Sequence, residues 1–166
     1  MATAPELLPA VAETVIRPMA ESDVPDVVAA ERAAYQFPWS EGIFRDCLRV
    51  GYVCRVVSVD DRVVGYGVMS VGAGEAHILN LCVLEAYRCR GIGKSLLSYL
   101  LERAAAAGMS EAFLEVRPSN TAAIRLYQAM GFDQVGMRRG YYQAVGGRED
   151  AAVLKLVLRA RRGRGP

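Results

Sequence analysis

The sequence predicts an α/β chain arranged as one mixed layer of strands and helices. Three observations carry that expectation: β-branched runs of strand length, apolar patterns of helical period in both halves of the chain, and a glycine-rich loop set between a strand and a helix. With 166 residues and 52% hydrophobic content, the chain can bury a core without disulfides or metal.

Thr14 to Met19 reads as a short strand, and Ser22-Asp23 offers a helix cap ahead of Val24, Val27, Val28 and Ala30. Gln36-Phe37-Pro38-Trp39 breaks that helix and leaves two aromatics in a loop; Ser40 then opens a second helix with Ile43, Phe44, Cys47 and Leu48 on one face. Tyr52–Val59 and Val63–Val71 are β-branched runs joined by Asp60-Asp61-Arg62, a hairpin signature, and His77–Val83 adds a third antiparallel strand after Gly72-Ala73-Gly74. Beyond Gly91, Leu96, Leu97, Leu100, Leu101 and Ala104 recur at helical spacing until Gly108. Ala112–Val116 is a strand stopped by Pro118; Asn120 caps a helix carrying Ile124, Leu126 and Tyr127, and Gly131 closes it. Strands at Phe132–Val135 and Ala151–Leu158 complete the order, which is not a doubly wound repeat of βαβ units.

Composition removes several function classes. A formal net charge of +2 with 23% charged residues gives no reason to expect direct nucleic-acid binding or attachment to an acidic membrane. Arg159, Arg161, Arg162 and Arg164 crowd the last residues, where Gly and Pro accompany them without an apolar anchor; this end and residues 1–13 are expected to be flexible termini around a domain spanning 14–158. Cys47, Cys54, Cys82 and Cys89 lack the paired spacing of a zinc site and the density of a disulfide scaffold, so no metal is expected. His77 is the single histidine and reads as a structural strand residue. The N-terminus lacks a basic region ahead of its apolar run, and no stretch is long enough to span a bilayer; with free thiols this points to the cytoplasm.

Arg88-Cys89-Arg90-Gly91-Ile92-Gly93-Lys94-Ser95 lies between a predicted strand and a predicted helix, where backbone N–H groups and the helix dipole favour a phosphate. Gly91 and Gly93 permit close backbone approach, and Arg88, Arg90 and Lys94 add positive charge. Glycines opening a helix also occur as plain tight turns. The Walker motif is absent because its upstream glycine is missing, and a Rossmann site fails for want of a third spaced glycine.

Placed after Ile78-Leu79-Asn80-Leu81-Cys82-Val83, the Arg-x-x-Gly-x-Gly segment resembles the pyrophosphate-binding loop of the GNAT acetyltransferases. The resemblance implies a mixed, mostly antiparallel sheet of about seven strands with about four helices. It implies acetyl-CoA as cofactor, with Arg88, Cys89, Arg90, Gly91, Ile92, Gly93 and Lys94 at the pyrophosphate. Leu81, Cys82 and Val83 would contact the acyl arm through a strand that splays from its neighbour. The family often has a basic residue where Cys89 stands, a departure that removes one side-chain phosphate contact but leaves the backbone cradle.

The run from Glu115 to Phe132 is similar, nearly residue for residue, to the RimI-type N-terminal alanine acetyltransferases. By itself, Glu115 in an apolar strand either faces solvent or sits in a restricted site with a raised pKa, and Tyr127 is compatible with a core position. The resemblance implies Glu115 as general base, Tyr127 as general acid and a coenzyme A contact for Asn120. A peptide α-amine has a pKa of about 7.7–8.0, so only a mild base is needed; a tyrosine near about 10 is a weaker acid than a thiol near about 8.5, so Tyr127 reads better as a positioned hydrogen-bond donor unless its pKa is lowered.

Phe37-Pro38-Trp39-Ser40 and Arg138-Arg139-Gly140-Tyr141-Tyr142 resemble the substrate-groove loops of the same enzymes, which implies substrate contacts for Phe37, Trp39, Tyr141 and Tyr142. From physics alone, Trp39 could equally plug the core and the tyrosine pair end a strand. The expected partner is the N-terminal peptide of a small-subunit ribosomal protein. Acetylation of a lysine or a small amine, or coenzyme A binding without turnover, remain open alternatives.

Overall fold

The computed structural model describes residues 13–158. Seven strands form one sheet: β1 (Thr14–Pro18), β2 (Val53–Val59), β3 (Arg62–Gly72), β4 (Glu75–Val83), β5 (Glu111–Val116), β6 (Asp133–Ala144) and β7 (Gly147–Val157). Their spatial order is β1-β2-β3-β4-β5-β7-β6, and only β4 and β5 run parallel. The helices are α1 (Val24–Ala34), α2 (Glu41–Arg49), α3 (Ile92–Ala106) and α4 (Thr121–Ala129). The expected mixed, mostly antiparallel fold is therefore the observed one. The N-terminal and C-terminal stretches expected to be flexible lie outside the described residues, apart from Glu13.

Local chemistry accounts for most boundaries. Asp60 and Asp61 adopt φ of 48° and 63°, the left-handed pair that a two-residue hairpin requires between β2 and β3. Ser40 caps α2 by accepting from the Ile43 amide at 3.3 Å, and Asn120 caps α4 by accepting from the Ala123 amide at 3.2 Å. The Ser22-Asp23 cap expected for α1 takes another form. Asp23 accepts two hydrogen bonds from Arg17, at 2.7 and 2.8 Å, and one from the Ala20 amide at 2.7 Å, so its carboxylate ties the turn before α1 back to β1.

The last two strands are longer than the sequence pattern suggests. Phe132 to Val135 covers only the start of β6, and β7 begins four residues before Ala151. β6 is an edge strand, exposed from Asp133 to Arg139, so no burial alternation marks it. A bulge between Arg138 and Tyr142 further disturbs its register against β7. Gly140, at φ 58°, occupies that bulge, and its amide donates to Asp150 at 2.8 Å.

Each face of the sheet carries its own core. Leu96, Leu97 and Leu100 of α3, together with Tyr127 of α4, pack on one face; Val27 of α1, Phe44 of α2 and Tyr66 of β3 pack on the other. Burying each leucine of α3 contributes about 1.5–3 kcal/mol. α3 is also the crossover that a parallel β4–β5 pair requires.

β4 and β5 stay paired only from Glu75 against Glu111 to Ile78 against Leu114. At that point β4 also slips its register against β3, where Val68 pairs with Asn80 and Met69 with Ile78, leaving Leu79 as an extra residue. Past it the side-chain alternation is re-phased: Ala76 and Ile78 belong to the α3 face, whereas Leu81 and Val83 take that face afterwards. Leu79 to Val83 thus diverges from Glu115 and Val116, and a wedge opens between the strands.

Gly65 of β3 supports the diverging segment. A Cβ there would lie 2.9 Å from the Cys82 carbonyl oxygen, a backbone atom that cannot rotate away. Gly65→Ala is expected to destabilise the fold by about 1–3 kcal/mol, read as a lower urea midpoint.

Candidate functional site

The wedge leads into a cavity of about 560 Å³. Leu79, Asn80 and Leu81 of β4 line one side, and Leu114, Glu115 and Val116 of β5 the other. Phe37 and Trp39 from the loop between α1 and α2, Tyr127 from α4, and Tyr142 from β6 complete the wall, with Asn120 at the start of α4. Seven of the residues singled out from sequence therefore share one cavity: Phe37, Trp39, Leu81, Glu115, Asn120, Tyr127 and Tyr142.

Others stand apart. Cys82 turns its side chain into the α1 and α2 core, where it is 5% exposed, so it can offer a ligand only its backbone. Val83 packs toward α3. Arg88, Cys89, Arg90, Gly91 and Lys94 are exposed and do not line the cavity. Tyr141 is exposed and lies edge-on to Tyr142 at 4.9 Å between centroids, with the Arg138 guanidinium 5.4 Å from its own ring centre.

Glu115 is held between His77 and Arg138. Its Oε2 lies 2.5 Å from His77 Nε2 and its Oε1 3.4 Å from Arg138 Nε, and only 8% of its side chain is exposed. The position is restricted, as one of the sequence readings allowed, but the expected raised pKa is not found. Burial does push the carboxyl up, yet the His77 hydrogen bond and the charges of His77 and Arg138 outweigh it and hold the group below the ordinary carboxylate range. His77, read as structural, proves to be Glu115's partner; position 77 and position 115 meet because β4 and β5 are parallel neighbours. A groove lined by His77, Phe113 and Arg138 lies behind Glu115, which also borders it.

Tyr127 is 8% exposed, and burial pushes its hydroxyl up to about 12. Its hydroxyl has no hydrogen-bond partner among the described residues. A phenol with a raised pKa keeps its proton at neutral pH, which suits a donor rather than an acid that gives its proton away.

Several cavity residues escaped sequence reading. Arg117 sits 4.4 Å from the Tyr142 ring centre and 5.9 Å from that of Phe37, bridging the two aromatic walls, and pairs with Glu149 at 3.2 Å. Glu149 also accepts from the Ser119 amide and hydroxyl. Glu31 of α1 and Tyr35, the residue that caps the C-terminus of α1, stand at i, i+4 spacing; the Tyr35 hydroxyl donates to the Leu81 carbonyl at 2.9 Å. That spacing was the available signal, but it cannot say what the face meets.

At the other end of β4, the loop before α3 has the form of an anion cradle. Cys89 and Gly91 adopt φ of 62° and 78°, and Gly91 starts α3 with no side-chain cap. The N–H groups of the first turn are left without intrahelical acceptors beside exposed Arg88, Arg90 and Lys94. This donor set fits a pyrophosphate, and the edge of β4 that β5 leaves uncovered beyond Ile78 fits an extended arm that takes backbone hydrogen bonds. Among the described residues no group of His, Cys, Asp or Glu could hold a metal ion, and no helix is long and apolar enough to cross a membrane.

Residues 17–132 match the model of the Acetyltransferase (GNAT) family. The chain is 35% identical over 140 residues to the [Ribosomal protein bS18]-alanine N-acetyltransferase of Salmonella typhimurium, covering 84% of this chain and 95% of that one. The crystal structure of the ribosomal-protein-S18-alanine N-acetyltransferase from Escherichia coli superposes with a TM-score of 0.83 at 30% identity, over 93% of this chain and 99% of that one. Ard1 from Thermoplasma volcanium superposes with a TM-score of 0.81 at 27% identity, over 88% and 98%.

Replacing His77 by alanine removes the hydrogen bond and charge that lower Glu115 and leaves the burial that raises it. In His77→Ala the Glu115 pKa is expected to rise, as followed by carboxyl NMR. The sign for stability follows: a carboxyl depressed in the folded state stabilises above its unfolded pKa of about 4.3, and that gain is lost as pH falls through the folded value. His77→Ala should shrink this contribution.

Proposed function

The chain belongs to the GNAT family of acetyltransferases and is an acetyl-CoA-dependent N-acetyltransferase, and from that premise we propose that its acceptor is the α-amine of a protein beginning with alanine. The observation that carries this reading is the meeting of Glu115 and Tyr127 in one cavity whose aromatic walls come from the loop between α1 and α2 and from β6. Rings that grip a peptide backbone from two sides of a narrow cavity favour a chain end with a small first side chain. The relatives named for the alanine of ribosomal protein bS18 favour a ribosomal protein as target and the cytoplasm as the place of action.

Acetyl-CoA supplies an acetyl group activated as a thioester. The residues that would hold it are the loop from Arg88 to Lys94 at the pyrophosphate, the backbone of Leu81, Cys82 and Val83 along the acyl arm, and Asn120. Asn120 uses Oδ1 as the α4 cap and keeps its amide NH₂ for a ligand.

Glu115 accepts the proton that the α-amine loses. It is a weak base, and its pairing with His77 and Arg138 weakens it further. An α-amine with a pKa of about 7.7–8.0 is already partly neutral near pH 7, so the demand on Glu115 is small. Tyr127 points an unionised hydroxyl into the cavity and donates a hydrogen bond to the departing sulfur. Phe37, Trp39 and Tyr142 hold the peptide, with Tyr141 packed behind Tyr142.

The test is direct. A peptide with a free N-terminal alanine should release coenzyme A, and the same peptide with a blocked α-amine should release none; activity surviving on a lysine of the blocked peptide would refute the acceptor. Glu115→Gln and Tyr127→Phe should each lower kcat by about 10²–10⁴-fold with acetyl-CoA affinity kept within a few-fold. Unchanged turnover in both would remove them from the mechanism.

A further inference from the structure

The cavity holds a second buried carboxylate. Glu31 of α1 is 2% exposed and lines the same cavity as Glu115 and Tyr127. Its Oε1 accepts from the Trp39 amide at 3.1 Å, and its Oε2 accepts from Asn80 Nδ2 at 3.0 Å and from the Tyr66 hydroxyl. The Trp39 amide and Asn80 Nδ2 can only donate, so both oxygens of Glu31 are engaged as acceptors, the arrangement that suits a carboxylate.

None of these partners carries a charge. Of the carboxylates lining the cavity, Glu115 is paired with His77 and Arg138, and Glu149 with Arg117, whereas Glu31 has no Lys, Arg or His within ion-pair distance among the described residues. Burying a carboxylate among neutral donors alone is costly, and a neutral side chain with one carbonyl oxygen could anchor the Trp39 amide without that cost. The negative charge is compensated when a cation enters the cavity. Its location says which cation: Trp39 belongs to the aromatic acceptor loop and Asn80 to β4 at the point where it parts from β5, so Glu31 stands between the peptide's entry and the acyl arm.

We propose that Glu31 recognises the substrate's N-terminal ammonium group, drawing the charged chain end into the cavity before Glu115 takes its proton. Oε1, with a single hydrogen bond, keeps a lone pair for this contact. The inference rests on the reading of the acceptor as an N-terminal peptide.

The experiment measures binding without turnover. Coenzyme A replaces acetyl-CoA, and calorimetry compares an alanine-initiated peptide with its desamino analogue, in which propionyl replaces alanyl. At pH 7.0 the wild type should bind the amine on the order of tenfold more tightly, and the preference should fade as pH rises through the amine pKa of about 7.7–8.0. Tyr66 of β3, Cys82 of β4 and Tyr35 at the end of α1, the titratable groups around Glu31, are all pushed up by burial. Arg117, Tyr127, Tyr142, Glu115 and Glu149 line the same cavity, with His77 and Arg138 paired to Glu115. The desamino peptide reports any titration of these protein groups.

Glu31→Gln should bring the two affinities to within about twofold while leaving that of the desamino peptide near the wild-type value, and Glu31→Asp should keep the preference. Equal affinities in the wild type at pH 7.0, or a Glu31→Gln variant that weakens both peptides alike, would overturn the proposal. If Glu31→Gln does not fold, Glu115→Gln decides: the amine preference should survive in it, and its loss there would assign the ammonium contact to Glu115 and overturn the proposal. Failure of both peptides to bind the wild type would sink the acceptor reading itself, a result distinct from equal binding.

Discussion

The parting of β4 from β5 is the constraint on which the rest of the molecule depends. Two parallel strands that remained paired along their length would leave no space between Leu81 and Val116 and no free backbone on β4. Pairing stops at Ile78 and Leu114, and the extra residue Leu79 re-phases β4 at that step. Backbone groups released inside a protein must be satisfied or face a ligand. Here the Tyr35 hydroxyl takes the Leu81 carbonyl, and the remainder of the wedge is open to an extended acyl arm. α4 borders one side of the opening and the end of α1 the other, so the site is a consequence of where the sheet divides.

Charge within the cavity is set by each group's surroundings. Glu115 is stabilised as an anion by His77 and Arg138, which favours its ionised form and limits its strength as a base. Tyr127 is kept neutral by burial. On the proposed reading, these two settings fit an acceptor amine that needs little help to lose a proton and a leaving group that needs a hydrogen bond more than a full proton. They would suit a lysine side chain poorly, since its pKa of about 10.4 requires a stronger base.

Much of this arrangement was legible in the sequence because local signals specified it. Asp60-Asp61 demanded a left-handed hairpin turn, Ser40 and Asn120 marked helix starts, and Gly91 marked the loop before α3. The likeness of the Glu115–Phe132 run to RimI-type enzymes pointed to the residues that meet in the cavity. Less was legible where burial gives no alternation: β6, exposed along its first half and broken by a bulge, looked like a short strand followed by loop. The Asp23 cap was misread because its carboxylate had a stronger partner, Arg17, on a neighbouring element.

The sequence by itself determined the element types, their order and the glycine loop before α3, and its family likeness singled out Glu115 and Tyr127. Tertiary structure alone decided the ionisation of Glu115, the partnership of His77, and the placement of Glu31 and Arg117 in the cavity. The physical reason is that capping, turn geometry and periodicity act over a few neighbouring residues. A pKa or an ion pair instead depends on which side chains the sheet brings together across 38 positions, as between His77 and Glu115.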